Sequence, residues 1–150
     1  MTCEGPHHST TAKTVWGSHL TPPDSVEDEP RWSPDGKTLA FSSDQTGDVE
    51  IFRMDAAGNN TVQLTDSVGE DWHPDWSPDS SKIAFTSNRD LVGDANANWE
   101  LYVMDVDGSN VKQLTQTEEH EWRPVWSPSG EQLAFAKQLD GSGWDIYGRE

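Results

Sequence analysis

Three stretches of the chain are copies of one another: EPRWSPDGKTLAFSS (29–43), HPDWSPDSSKIAFTS (73–87) and RPVWSPSGEQLAFAK (123–137). Trp32, Trp76 and Trp126 set their register and fall 44 and 50 residues apart. A period in this range marks one supersecondary unit repeated, none of which buries its apolar face alone. The downstream pieces repeat in step. VEIFRMDAAGNNTVQLT (49–65) matches WELYVMDVDGSNVKQLT (99–115), and WDIYGRE (144–150) opens a third copy. The six extra residues of the second interval fall between Phe85 and Trp99, around DLVGDANAN, as an insertion confined to one loop should.

Each unit reads as four short strands. The first surrounds P-x-W-S, such as Pro74 to Ser77, and a Pro-Asp-Gly type turn follows, with φ preset at proline and positive φ tolerated at glycine. The second strand is KTLAFSS or KIAFTS. The third is EIFRMD or ELYVMD, with apolar residues at alternate positions. A second turn, DAAGNN or DVDGSN, leads into the fourth strand, TVQLT or VKQLT. Helical periodicity is absent, a solenoid would use a shorter period, and a sandwich would not repeat its turns this closely. The fold class expected is all-β, built of four-stranded propeller blades. Trp32, Trp76, Trp126, Phe41, Phe85, Phe135, Ile51, Leu101 and Ile146 recur in step and are expected to pack blade against blade.

Composition agrees with a folded chain whose apolar residues are concentrated. Only 32% of the 150 residues are hydrophobic, and the mean hydropathy is -0.82. Eight tryptophans compensate, since each aromatic buries roughly 150–250 Å². A net charge of -17 would repel a phosphate backbone, which argues against nucleic-acid binding and favours cationic partners. Cys3 stands alone, so no intrachain disulfide forms. No apolar run approaches a membrane span, and the first residues show no apolar signal-peptide core.

The motifs P-x-W-S-P-D-G, (I/L)-A-F, (I/L)-Y-x-M-D, D-G and L-T, in this fixed order, resemble the TolB-type, WD-like β-propeller repeats over roughly residues 14–150. The resemblance implies a propeller fold and an extracytoplasmic bacterial setting, periplasmic or extracellular. It departs from full-length TolB in having no separate N-terminal α/β domain and too few blades.

Strand counting bears on how such a molecule closes. TVWGSHLT (14–21) is strand-like but has no mate before it, and residues 1–13 are expected to be a disordered tail. Shifted by 44 residues, its HLT end falls on Gln63-Leu64-Thr65. Thr21, Thr65 and Thr115 each precede the next W-S-P tryptophan by 11 residues. The stretch therefore reads as an outermost strand, while WDIYGRE is a third strand with no fourth after it. The total is three blades, one split between the two ends of the chain. Propellers have about 4–8 blades. Two readings follow: a homodimer forming a six-bladed ring, or a portion of a longer propeller.

The segments joining fourth to first strands read SVEDEP, GEDWHP and EHEWRP. An acid stands five residues before each tryptophan, at Glu27, Asp71 and Glu121, close to the start of the innermost strand and the channel mouth. Trp72, His73, Trp122 and Arg123 follow, and exposed aromatics with Arg are typical binding anchors. These seven residues form the expected partner-binding surface. The competing reading is that the indoles cap neighbouring blades and the acids accept backbone N–H groups. DANANWE, with Asp94, Asn96, Asn98 and Glu100, and DVDGSN, with Asp105 and Asp107, loosely resemble calcium loops but read better as turns. No metal or cofactor is expected. Catalytic signatures such as G-x-S-x-G, H-E-x-x-H or a glycine-rich phosphate loop are absent. The histidines His7, His8, His19, His73 and His120 show no ligand spacing along the chain. The reading is a non-enzymatic propeller that binds a protein or peptide. The alternatives are the propeller part of a hydrolase or lyase, and carbohydrate binding through Trp72 and Trp122.

Overall fold

A computed structural model of the protein describes residues 20–21, 24–89, 98–139 and 143–150. The described chain is three antiparallel sheets. The first blade comprises β1 (Glu27–Trp32), β2 (Thr38–Ser43), β3 (Glu50–Asp55) and β4 (Val62–Gln63), hydrogen-bonded in that order. The second comprises β5 (Asp71–Trp76), β6 (Lys82–Ser87), β7 (Glu100–Asp105) and β8 (Lys112–Gln113). The third has β9 (Glu121–Trp126), β10 (Leu133–Leu139) and β11 (Gly143–Arg149). Residues 1–13 and all of TVWGSHLT except Leu20 and Thr21 lie outside the described residues.

The turns explain the W-S-P-D-G spacing. Ser33 Oγ donates to Asp35 at 2.7 Å and accepts from the Thr38 amide at 3.0 Å, closing the β1–β2 turn. Ser77 does the same with Asp79 and Lys82. Gly36 and Gly130 sit in the left-handed region of these turns with φ of 71° and 75°, but the second copy holds Ser80 there, at φ 60°. An L residue carries a cost of roughly 1–2 kcal/mol in that region, offset in part by the greater chain entropy of glycine. Ser80→Gly is therefore expected to stabilise the protein by about 0.5–1 kcal/mol. A urea midpoint unchanged or lowered by the substitution would contradict this reading of the turn.

The first strands begin earlier than the P-x-W-S core, at Glu27, Asp71 and Glu121. They contain proline, which has no N–H to give to the ladder, and so each carries a bulge. The register with the second strand shifts between Asp28 and Arg31, between Trp72 and Asp75, and between Trp122 and Val125. The fourth strands are shorter than the sequence pattern, at two residues each, yet the Leu64 and Leu114 amides still reach the Ile51 and Leu101 carbonyls at 2.8 and 2.7 Å.

Each blade stacks an aromatic pair across its second and third strands: Phe41 on Phe52, Phe85 on Tyr102 and Phe135 on Tyr147, with centroids 5.7–6.1 Å apart. Between the first two blades, Ala40, Ile51 and Leu64 meet Trp76, Ile83, Phe85, Tyr102 and Met104 in one continuous core. Trp76 is buried there and its indole N–H donates to the Arg31 carbonyl at 3.0 Å. This tryptophan thus locks the second blade onto the first. Leu20 lies over Gly58 as Leu64 lies over Gly108, since a Cβ on either glycine would meet the leucine carbonyl, at 3.1 and 2.6 Å. Leu20 therefore occupies the place of a fourth-strand leucine.

Candidate functional site

Each bulge places one residue in the left-handed region: Glu29 (φ 54°), His73 (φ 58°) and Arg123 (φ 55°). Non-glycine residues held there cost of order 1–3 kcal/mol each, and such strain concentrates at functional sites. The innermost strands β1, β5 and β9 pack side by side, so these three residues, far apart in sequence, converge. His73 Nε2 lies 3.0 Å from Glu29 Oε1, and the Arg123 guanidinium lies 3.4 Å from the same oxygen. Burial, with the Arg123 charge adding, pulls His73 down to about 4, so its imidazole is neutral at physiological pH. Burial pushes Glu29 up, opposed by Arg123. Among the described residues, Glu29 Oε2 and His73 Nδ1 are buried without a hydrogen-bond partner.

Indoles surround this group. Trp122 stands edge-on to His73 at 4.9 Å and lies between Trp99, at 4.8 Å, and Trp144, at 6.2 Å. Trp72 sits 6.3 Å from His73, its N–H turned to Glu70 at 3.1 Å. His73, Trp122, Arg123, Ala136 and Trp144 line an open cleft of about 390 Å³. The Arg123 side chain is 69% exposed and Trp144 is 50% exposed at its rim. The site thus joins apolar rings and an accessible cation in one concave surface, with the Glu29 carboxylate buried beside it on His73 and Arg123.

Four of the seven sequence candidates, Trp72, His73, Trp122 and Arg123, come together here. The other three, Glu27, Asp71 and Glu121, each stand first in an innermost strand; Asp71 and Glu121 face the two junctions between blades, while Glu27 accepts from the Thr21 and Ser25 hydroxyls. At the first-to-second junction, Thr65 Oγ1 donates to Glu50 at 2.5 Å and accepts the Ile51 amide at 2.9 Å. The Ser67 amide binds Glu50 at 3.0 Å, and the Ser67 hydroxyl reaches Asp71 at 3.4 Å. Asp71 is fully buried and paired with Arg89 at 2.6 Å. Burial pushes Glu50 up to about 7, with the adjacent Asp71 carboxylate adding to the shift. The second-to-third junction repeats the plan. Glu100, raised by burial, faces Glu121, with Thr117 bridging and Lys137 at 3.5 Å from Glu121. The L-T ending of each repeat is therefore a hydroxyl that serves a buried acid.

Glu29, Trp99 and Trp144 belong to the site although the sequence expectation omitted them. Trp99 and Trp144 share a signal, each standing two residues before the apolar Leu101 or Ile146 of its third strand. His120 accepts the Trp99 amide through Nδ1 at 3.3 Å, while His7, His8 and His19 lie outside the described residues. Asp94 and Asn96 also lie outside them. Asn98 donates to the Thr117 carbonyl, Asp105 accepts from Lys82 and Asn110, and Asp107 accepts from Ser109, closing the β7–β8 turn. Among the described residues no group of three or more His, Cys, Asp or Glu side chains is placed to hold a metal ion. No described helix is long and apolar enough to cross a membrane.

A profile of the TolB beta propeller domain matches residues 17–146. The chain belongs to this TolB β-propeller domain family. It is 34% identical over 70 residues to an uncharacterized protein of Agrobacterium fabrum, an alignment covering 47% of this chain and 24% of the relative. It is 51% identical over 39 residues to the uncharacterized peptidase YuxL of Bacillus subtilis, covering 25% of this chain and 6% of the relative. Among solved structures it is similar to a putative TolB from Agrobacterium tumefaciens, with a TM-score of 0.66 and 31% identity over 81% of this chain and 40% of that one. The TolB-type chain therefore spans a quarter or less of these curated relatives. The sequence resemblance to TolB-type repeats and the all-β propeller architecture both hold.

Proposed function

We propose that this TolB-type chain is a protein-binding propeller module whose ring is completed by a second copy. Its recognition surface is the cleft of Trp122, Trp144, His73 and Arg123, with Trp72 and Glu29 beside it and Glu27, Asp71 and Glu121 holding the innermost strands from behind. The observation that carries this reading is the convergence of strained bulge residues from three blades onto one exposed Arg framed by indoles. Aromatic and Arg anchors in a partly desolvated pocket dominate protein interfaces. A peptide segment bearing a carboxylate suits the guanidinium, and its apolar side chains suit the rings. Family membership supports an extracytoplasmic bacterial setting.

Panning a random-peptide display library on the protein, then titrating a selected peptide by tryptophan fluorescence, tests the site. Arg123→Ala removes an exposed side chain and is expected to weaken binding by about 10–30-fold. An affinity unchanged by Arg123→Ala and by Trp122→Ala would place recognition elsewhere.

The likeness to a peptidase of Bacillus subtilis favours a second reading, the propeller portion of a peptidase. Incubation with a peptide mixture and mass spectrometry of the products separates the two. Cleavage supports the peptidase reading, and intact peptides that bind support the first.

A further inference from the structure

The two ends of the three-blade arc carry the unmatched halves of the junction that the chain builds twice inside itself. In β10–β11 pairing, Asp145 stands opposite Lys137. In the other blades the corresponding positions are Glu50 opposite Ser43 and Glu100 opposite Ser87. Asp145 is thus the third member of the Glu50, Glu100 series. At the other end, Thr21 and Glu27 stand where Thr65 and Asp71, and Thr115 and Glu121, stand at the two formed junctions. The side chains around them are uncovered to match. Ile146 is 77% exposed, whereas its counterparts Ile51 and Leu101 are fully buried. Trp32 is 54% exposed, whereas Trp76 is 5% exposed.

We infer that a second copy of this chain seats its β11 edge against the Leu20–Glu27 end of the first, setting Asp145 of one copy against Glu27 of the other in a third carboxyl–carboxyl junction that closes with uptake of a proton. This rests on the two-copy ring proposed above and names the contact and ion that close it. The occupant follows from the two interfaces already present. In each, a third-strand acid, an L-T threonine and a first-strand acid meet, and the β11 edge supplies the one part missing at the Glu27 end. Thr21 Oγ1, which donates to Glu27 at 2.8 Å, becomes the bridge that Thr65 is between Ile51 and Glu50.

The charge surroundings require the proton. The first internal junction has Arg89 on Asp71, and the second has Lys137 on Glu121. The Thr21 and Ser25 hydroxyls donate to Glu27 and Ser43 stands opposite it in the β1–β2 pair, Asp44 accepts the adjacent Val26 amide, and the charged residues beside it in sequence, Asp24 and Asp28, are carboxylates. Facing Asp145 is Lys137, whose ammonium is held by Glu119 at 3.2 Å and Glu121 at 3.5 Å. Two carboxylates brought together without a free cation share one proton. Closure of the ring makes two such junctions, so each contributes up to about a tenfold gain in association per pH unit lowered.

Sedimentation equilibrium of the full chain with Cys3 kept reduced, at about pH 8 and about pH 5.5, tests this, with added salt screening the general repulsion between acidic copies. The expected result is a two-chain mass whose dissociation constant falls at least tenfold on acidification. Asp145→Asn and Glu27→Gln, which keep the hydrogen bonds without the charge, should remain paired with a flat pH response. Ile146→Glu should give single chains, while Val62→Glu, an exposed apolar residue on β4 away from either end, should not. A two-chain mass with no pH response, or a response that survives both amide variants, overturns the proton-linked junction and leaves the ring. A one-chain mass throughout overturns both, and a dimer unaffected by Ile146→Glu places the interface elsewhere.

Discussion

Arg89→Met is expected to destabilise the protein by roughly 3–5 kcal/mol at about pH 8, and by clearly less at about pH 5. Arg89 supplies the cation that pairs with the buried Asp71 beside Glu50. Its guanidinium meets Asp71 at 2.6 Å and lies over the Phe85 and Tyr102 rings at 5.1 and 4.9 Å. Asp71 is wholly buried, its Oδ1 has no hydrogen-bond partner among the described residues, and beside Arg89 its Oδ2 has the Ser67 hydroxyl at a long 3.4 Å. Removing the cation leaves a buried carboxylate beside Glu50, and uncompensated buried charge is among the most costly defects a core can carry. The pH dependence follows from Glu50. Its folded value, near 7, stands above the ordinary 4.5, so the folded state holds a proton that the unfolded chain releases. The stability this provides is complete below about 4.5 and is lost as pH rises through 7. Wild type is therefore more stable in mild acid, and without Arg89 the shared proton becomes the only compensation left. Thermal melts should show a drop of about 10 °C in Tm at the higher pH. A double variant that also carries Asp71→Asn should recover most of it. A small and pH-independent loss would show that the junction does not depend on this pair.

The same junction shows what the chain discloses before folding. Repeats state their own register, so the turns, the third strands and the acid five residues before each tryptophan were all legible from Trp32, Trp76 and Trp126. The extent of the first strands was not, because Pro30, Pro74 and Pro124 break the local strand pattern and a bulge restores it in three dimensions. Left-handed φ at Glu29 and Arg123 has no signature in residue type, and of the three bulge residues only His73 is of a type enriched there. Nor could the partners of Asp71 and Glu121 be read. Glu50 and Glu100 lie 21 residues upstream on the outer side of the preceding blade, and only stacking of blades brings them in. Trp144 entered the cleft for a similar reason: the packing of Trp122 against it is a relation between strands. Burial changed the meaning of the acids too, making Asp71 and Glu121 parts of the junctions while the exposed cation Arg123 marks the cleft.

Gly108→Ala should cost roughly 2–4 kcal/mol, because two separate costs fall on one methyl group. The glycine has φ of 86°, and a Cβ there would stand 2.6 Å from the Leu64 carbonyl oxygen and 3.2 Å from its Cα. Both are backbone atoms fixed by the Leu64 amide's bond to Ile51, so no rotamer change relieves the contact. Two other glycines separate the terms. Gly36 has φ of 71° and nothing described lies within 4 Å of where its methyl would stand, so Gly36→Ala reports the backbone cost alone, about 1–2 kcal/mol. Gly58, at φ 81°, would bring its Cβ to 3.0 Å from the Leu20 side chain and 3.1 Å from its carbonyl. Its cost depends on whether Leu20 is held there as firmly as Leu64 is. The expected order in urea denaturation is Gly108, then Gly58, then Gly36. Equal losses at Gly36 and Gly108 would mean that the fourth-strand leucine does not press on the turn of the next blade. A Gly58 loss that grows under conditions favouring two-chain assembly would show that Leu20 is clamped when the ring closes.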